Sequence, residues 1–318
     1  MSARVRFESV SVRYPNQDRN AVDGVTLDVP PGAFVVFLGP SGCGKSTLLR
    51  TVNRLVPVLS GCVTVDDRDV QAVDATELRR GIGYVIQAVG LFAHMTVAEN
   101  IAVVPQLLHW DTARIRRRVD ELLTLVNLDT VRYWSRYPRQ LSGGEQQRVG
   151  VARAIAAEPA VLLMDEPFGA VDAIVRASLQ EETRRIARQL RTTILFVTHD
   201  VDEAVRLADR IVVMRDGRVV QYDTPLAILG SPATPYVEQL LDTRDVVRRL
   251  SLLFVRDAMR GPDADAVGEI DERDTLRDAL GAFLGGAGRL HVKQAGITVG
   301  SLSFDDVRCA LAPVPSKT

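Results

Sequence analysis

Lysine is nearly missing from this chain. Of 39 basic residues only Lys45, Lys293 and Lys317 are lysine, so the first 290 residues hold a single one. It stands inside "GPSGCGKST" (Gly39 to Thr47), where a compact ammonium can reach between phosphate oxygens and the planar guanidinium of arginine is too large. Cysteine is scarce as well. Cys43, Cys62 and Cys309 are odd in number, far apart and without a C-x-x-C pair, which argues against a disulfide framework or a zinc site. Apolar runs such as "AFVVFL" and "LSLLFV" fall far short of the roughly 18 residues of a membrane span, and the N-terminus lacks the apolar core of a signal peptide. These absences point to a chain that stays in the cytoplasm. An excess of one charge is also missing: 39 basic against 40 acidic residues leave a formal net charge of -1. Nucleic-acid binding usually needs a basic excess. The length of 318 residues, 46% of them hydrophobic, suits one large domain and a smaller one.

What is present alternates between strand and helix. "AFVVFLG" feeds a glycine turn and then "STLLRTVNRL", a pattern of buried strand, loop and helix. "AVLLMDEP" and "TTILFVTHD" are further buried strands with polar residues at their C-terminal ends. Such α/β patterns form largely parallel sheets whose ligands lie at the carboxyl ends of the strands. "VRFESVSVRY" and "VDGVTLDVP" alternate as antiparallel strands do, and "RIVVMRDGRVVQYDTP" is a hairpin turning at Asp216-Gly217. From about 90 to 157 the pattern becomes helical. There Ile115, Val119, Leu122, Leu123 and Val126 share one face, so the arginines between 114 and 118 read as a solvated face. The expected architecture is a mixed-sheet α/β core with an antiparallel β subdomain and a helical insert.

Two glycine turns stand out. Gly39, Gly44, Lys45 and Ser46 satisfy G-x-x-x-x-G-K-S between a strand and a helix. In that setting the backbone cradles phosphates, Lys45 neutralises them and the Ser46 hydroxyl binds magnesium. The second, "LSGGEQQRVGVARA", places Ser142, Gly143 and Gly144 ahead of another helix. Both turns present a helix N-terminus, which favours an anion. Asp165 ends the strand "VLLMD" and suits a magnesium-holding carboxylate, and Glu166 beside it can polarise an attacking water. Taken singly, His199 is a strand-end histidine, Gln87 a surface amide, Tyr14 a half-buried strand aromatic and Asp172 a helix cap.

Their order changes that reading. "LSGGEQQ", "VLLMDEP", "GAVD" (Gly169 to Asp172), "VTHD", Gln87 in "GYVIQAVGLFAHMTVAEN" and Tyr14 in "VRYP" together resemble the ATP-binding subunits of ABC transporters over residues 4 to about 240. Val171 stands where that family usually has leucine, and Ala88 and Ala93 replace a more usual glutamine and proline. The resemblance implies a P-loop ATPase of the ABC type that binds ATP and Mg2+. The phosphates would lie on Gly39, Pro40, Ser41, Gly42, Cys43, Gly44, Lys45, Ser46 and Thr47, with adenine stacked on Tyr14 and the metal held by Ser46, Gln87 and Asp165. It also implies that Glu166, His199, Gln87 and Lys45 carry the catalysis. Ser142, Gly143, Gly144 and Asp172 would reach the ATP of a second subunit, so a homodimer completes two composite sites.

One such unit without a span of its own implies docking on ABC permease membrane subunits at the cytoplasmic face of the membrane. A substrate-binding protein would then be an indirect partner, and no nucleic acid is expected. The segment Gly83 to Trp110 resembles importers of quaternary ammonium compounds such as glycine betaine, carnitine and choline. An importer of another small solute such as an amino acid, and a soluble ABC ATPase acting on nucleic acid or in regulation, remain open. Residues 1–245 form the nucleotide-binding domain on this reading. Residues 246–318 are similar to one cystathionine-β-synthase-type (CBS) module, small and α+β, through "VRDAM", "TLRDALGAFL", "LHVKQAGITVGSLS" and "GSLSFDD". There Gly300, Ser303 and Asp306 have the spacing often used to hold a ribose, and a capped helix start explains the same residues. The module would regulate or dimerise the motor.

Overall fold

A computed structural model describes residues 2–311 except 88–89, 170–171, 191, 244 and 264; Ala88 and Val171 therefore lie outside the described residues. The chain separates into two compact units, Met1–Tyr222 and Asp223–Thr318. The division falls ahead of residue 245, just before a stretch that holds Pro225, Gly230, Ser231, Pro232 and Pro235.

In the first unit β1 (Val5–Val12) and β2 (Val22–Val29) pair antiparallel, and their alternating valines, Phe7 and Leu27 are buried. β3 (Phe34–Leu38), buried on both faces, runs through the first glycine turn into α1 (Lys45–Val52). β4 (Ser60–Val65) and β5 (Arg68–Asp69) extend the antiparallel sheet to the order β2-β1-β4-β5. After α2 (Ala75–Arg80) and β6 (Ile82–Val85) come the helices of the insert: α3 (Val97–Leu107), α4 (Thr112–Leu125), α5 (Thr130–Tyr133) and α6 (Gly143–Ile155). The chain re-enters the core through β7 (Val161–Asp165), α7 (Ala173–Leu190), β8 (Thr193–Thr198), α8 (Val201–Leu207), β9 (Arg210–Arg215) and β10 (Arg218–Asp223).

The central sheet has the order β10-β9-β3-β8-β7-β6, with β3, β6, β7, β8 and β9 parallel. Every residue of β3, β7 and β8 is buried, as two-sided packing of a parallel sheet requires. Val35, Phe37, Leu163, Leu195 and Val197 of this sheet share one core with β1, β2 and the Leu48, Leu49 and Val52 stripe of α1. The register sets Leu38 against Thr198 and Asp165 against Val197, so β3, β7 and β8 end level. The residues that follow them, Gly39, Glu166 and His199, therefore meet at one edge. Asp216 and Gly217 both have positive φ, 49° and 79°, the geometry of a type I′ hairpin turn.

The apolar face of α4 packs as its spacing predicts, with Val119, Leu122, Leu123 and Val126 buried. Arg114, Arg116 and Arg117 are exposed, but Arg118 departs from the expected solvated face. Its guanidinium donates to the carbonyls of Ala156 (3.1 Å) and Ile155 (3.0 Å), which terminate α6. A side chain near a helix C-terminus satisfies carbonyls that have no intrahelical partner.

The second unit holds α9 (Pro225–Gly230), α10 (Pro235–Leu241), α11 (Val246–Leu250), α12 (Val255–Ala258), β11 (Glu269–Asp271), α13 (Leu276–Leu284), β12 (Arg289–Gln294), β13 (Ile297–Ser303) and α14 (Phe304–Ala310). β11 runs parallel to β12, which forms an antiparallel hairpin with β13. Leu250, Val255, Ile270, Leu276, Leu290, Val292, Leu302 and Val307 close a small core of their own.

Candidate nucleotide site

The first glycine turn is shaped by what surrounds it. A Cβ on Gly44 would stand 2.3 Å from the Ala21 carbonyl oxygen, and one on Gly39 would stand 2.4 Å from that of Met214. Gly42 and Gly44 have φ of 80° and 104°, which only glycine adopts at little cost. Lys45 is 3% exposed, and its ammonium donates to the carbonyls of Gly39 (2.7 Å) and Pro40 (2.9 Å), so it is folded into the loop that it would serve. Cys43 is buried beside it, and burial pushes its thiol up from the ordinary value. Pro40, Ser41 and Gly42 form the exposed rim. The Tyr14 hydroxyl lies 3.1 Å from that of Thr47, tying the aromatic to the end of the turn.

α1 has neither a side-chain cap nor an acidic residue in its first turn. α2, α3, α4 and α6 are each capped by a side chain, from Asp74, Thr96, Asp111 and Ser142. An uncapped helix start with a buried cation is a place for an anion.

Asp165, 3% exposed, closes the floor. It accepts hydrogen bonds from the Ser46 hydroxyl (2.6 Å), from Arg50 Nη2 (2.9 Å) and Nε (3.2 Å), and from the Tyr84 hydroxyl (3.4 Å). Arg50 and Tyr84 are functional neighbours that the sequence reading misses. Arg50 lies four residues after Ser46 on α1, hence on its face, and this spacing is the signal that could find it. Burial pushes the Tyr84 phenol above its usual value.

Glu166 has a φ of 46°, unusual for a non-glycine residue, and its N–H donates to the Val197 carbonyl at 3.0 Å. The turn aims its carboxylate between two partners. Gln87 Nε2 donates to Glu166 Oε2 at 3.4 Å, and His199 Nδ1 lies 3.4 Å from the same oxygen. A Cβ on Gly169 would come within 3.7 Å of Gln87 Nε2. Gln87, Glu166 and His199, successively 79 and 33 residues apart in sequence, thus form one group beside Asp165.

The second glycine turn stands apart. Ser142 caps α6 in a capping box: its hydroxyl accepts from the Glu145 N–H (3.3 Å), while Glu145 accepts from the Ser142 N–H (2.7 Å). The Tyr133 hydroxyl also donates to Glu145, and this bond holds the carboxyl below its usual value. A Cβ on Gly143 would meet nothing within 4 Å. Among the described residues no hydrogen bond joins this turn to the Lys45 loop. Asp172 is exposed and its carbonyl accepts from the Arg176 N–H; Ala170 and Val171 beside it lie outside the described residues.

Asn100 is another residue that sequence reasoning misses. Completely buried at the start of α3, its amide donates to the carbonyls of Phe92, Met95 and Thr96 and accepts from the Phe92 N–H, which shapes the segment from Phe92 to Thr96.

In the second unit a Cβ on Gly300 would stand 2.6 Å from the Arg260 carbonyl oxygen. Ser303 caps α14 and donates to Asp306 Oδ2 at 2.6 Å, while Arg260 Nε donates to Asp306 Oδ1 at 2.5 Å. Burial pushes the Asp306 carboxyl up, but the bonds from Ser303 and Arg260 outweigh it and hold the group below its usual value.

A glycine loop between a buried strand and an uncapped helix, two carboxylates at the end of a neighbouring parallel strand, and a helical insert before that strand define a P-loop cassette of the ABC type. The family model described as ABC transporter matches residues 22–169. The glycine betaine uptake system ATP-binding protein YehX of Escherichia coli is 46% identical over 306 residues, 95% of this chain and 98% of that one. The chain belongs to the ATP-binding proteins of ABC transporters. The carnitine transport ATP-binding protein OpuCA of Listeria monocytogenes is 51% identical over 237 residues, 74% of this chain and 59% of its own length. The match thus spans about three fifths of that longer relative. A solved dimeric ATP-binding cassette in a post-hydrolysis state, bound to ADP and Pi, is 31% identical with a TM-score of 0.62, covering 70% of this chain and 98% of that one.

Proposed function

We propose that this chain is the ATP-hydrolysing subunit of an importer for quaternary ammonium compatible solutes, docked on separate permease subunits at the cytoplasmic face of the membrane. The observation that carries the motor is the meeting of Gln87, Glu166 and His199 at the edge where the uncapped α1 and Lys45 await phosphates. The names of the relatives, one of them matched along almost the whole chain, support the cargo.

In this reading Lys45 leaves the carbonyls of Gly39 and Pro40 for the phosphates, and Tyr14 stacks on adenine. The Ser46 hydroxyl, Asp165 and the Gln87 amide oxygen form a hard-oxygen set that would hold Mg2+, which would supply charge neutralisation to the phosphates. Arg50 holds Asp165 toward Ser46. Glu166 draws a proton from the attacking water, and His199 orients that carboxylate and contacts the γ-phosphate. Ser142, Gly143, Gly144 and Asp172 close the site of the other subunit, and dimerisation of the solved cassette supports such pairing. No helix among the described residues is long and apolar enough to cross a membrane.

Residues 246–318 act as a CBS-like module that joins two copies of the chain. Gly300, Ser303 and Asp306 are already engaged in close packing and helix capping, which favours a dimerising role over ribose binding. Leu284 and Ile297, 80% and 70% exposed, are apolar groups available to a second copy.

Reconstitution tests the whole reading. Chain copurified with its membrane subunits in proteoliposomes should hydrolyse ATP faster when a binding protein loaded with glycine betaine, carnitine or choline is supplied. Stimulation by an amino acid instead would move the cargo, and stimulation by DNA or ribosomes without any membrane partner would refute the transport role.

A further inference from the structure

β8 ends at Thr198, and His199 is the next residue, so whatever holds that strand end sets where the imidazole can reach. The Thr198 hydroxyl donates to Glu203 Oε2 at 2.6 Å and accepts from the Asp200 N–H at 2.9 Å. Glu203, on α8, is 4% exposed; its other oxygen accepts from Gln180 Nε2 on α7 at 3.0 Å. The Gln180 carbonyl oxygen accepts in turn from Arg206 Nη1 at 3.4 Å. A second link runs alongside, from Arg176 Nη1 on α7 to Asp200 Oδ2 at 3.7 Å. Thr198, Gln180 and Glu203 are all buried, so three polar groups satisfy one another where apolar side chains of the same size would also fit.

A buried carboxylate is an expensive way to fill a core. Burial pushes the Glu203 carboxyl above its ordinary value, so holding it here opposes folding. What it does supply is two acceptor oxygens with fixed directions, one toward the strand end and one toward α7. α7 begins at Ala173, directly after Asp172.

We propose that Glu203 is a positioning residue for ATP hydrolysis, fixing the strand end that carries His199 against α7 and thereby coupling His199 to the Asp172 turn. The inference rests on the role given to His199 above. It adds a physical connection: closure of the partner subunit on Asp172 bears on α7, and the Gln180–Glu203–Thr198 chain carries that to the imidazole beside Glu166. Because interactions that hold a group within an ångström of its productive place can govern rate, the loss should appear in kcat more than in ATP affinity.

The test is single-turnover and steady-state hydrolysis by the purified full chain, with ATP alone as the probe. Glu203→Met keeps the volume and removes both acceptors, and should lower kcat about 10- to 100-fold with the KM for ATP within about threefold. Thr198→Val should show the same loss and Thr198→Ser, which restores the hydroxyl, should recover the rate to within about threefold. In a His199→Ala background Glu203→Met should cause no further fall, because the carboxylate acts through the histidine. A further fall there of the same size as in the wild type would reduce Glu203 to a core residue and overturn the proposal. If His199→Ala is inactive while Glu203→Met and Thr198→Val hydrolyse at the normal rate, this proposal alone is wrong. Full hydrolysis by His199→Ala would overturn the role of the histidine itself, and this coupling with it. Should Glu203→Met fail to fold, the contrast of Thr198→Val with Thr198→Ser decides.

Discussion

The two glycine turns look alike in sequence and differ in what lies above their glycines. At Gly44 a single added carbon would overlap the Ala21 carbonyl oxygen, and at Gly143 it would touch nothing. The helices behind them differ as well. α1 starts uncapped and without an acidic residue, whereas α6 is capped by Ser142 and carries Glu145 in its first turn. In the first turn Gly39 and Gly44 are required because the fold leaves no room above them, and Gly42, which is open above, because of its positive φ. In the second, Gly143 has room, and part of the turn's hydrogen-bonding capacity is spent on its own cap. On the proposed function, a requirement for glycine there comes from outside the subunit, from a second copy that approaches it closely.

The largest expected effect tests the chemical half of this contrast. Glu166→Gln retains the size of the side chain beside Gln87 and His199 but cannot take a proton from water, so hydrolysis should fall on the order of 10²–10⁴-fold. ATP binding should persist and an ATP-bound dimer should accumulate on gel filtration. Turnover near the wild-type rate would remove Glu166 from the mechanism.

Substitutions at the glycines themselves sharpen it. Gly44→Ala adds both overlap and a left-handed conformation, so thermal unfolding should register a loss of roughly 1–3 kcal/mol together with lost nucleotide binding. Gly143→Arg should leave stability within about 0.5 kcal/mol, since a surface change in open space touches nothing. It spares the capping box, whereas Ser142→Arg would also strip the cap of α6, at a cost of about 1 kcal/mol. Gly143→Arg should nevertheless abolish hydrolysis. Mixed with Lys45→Ala, it should regain activity in mixed dimers that keep one site with both halves intact; random pairing leaves roughly a quarter of the sites. Full activity of Gly143→Arg alone would show that the second turn faces no nucleotide.

The smallest effect concerns how the open turn meets its partner. Leu284→Asp with Ile297→Asp should make hydrolysis per subunit fall on dilution, while the wild type holds steady, because a linked pair raises the effective concentration of one cassette for the other. Identical dilution curves would sever the second unit from pairing.

Much of this was readable in advance, and the failures are instructive. Buried strands such as "VLLMD" announce themselves by continuous apolar residues, and the hairpin at Asp216-Gly217 by its turn residues. Arg118 misleads because a one-dimensional pattern assigns it to a solvated helix face, while the end of α6 comes close enough to use its guanidinium. Asn100, Arg50 and Tyr84 carry no motif on their own; each matters through a group distant in sequence. The division after Tyr222 follows packing, and the prolines at 225, 232 and 235 are the trace it leaves in the sequence.

By itself the sequence determined the inventory: one lysine in a glycine turn, an acidic pair after a buried strand, a second glycine turn, and the order in which they come. Those features depend on residue type and near neighbours, which spacing records. Only the tertiary structure decided that β3, β7 and β8 end level, that Glu166 turns into left-handed backbone to stand between Gln87 and His199, and that Gly44 is walled in while Gly143 is open. Strand register and the free space above a backbone atom arise from contacts between segments far apart in the chain, and no local pattern contains them.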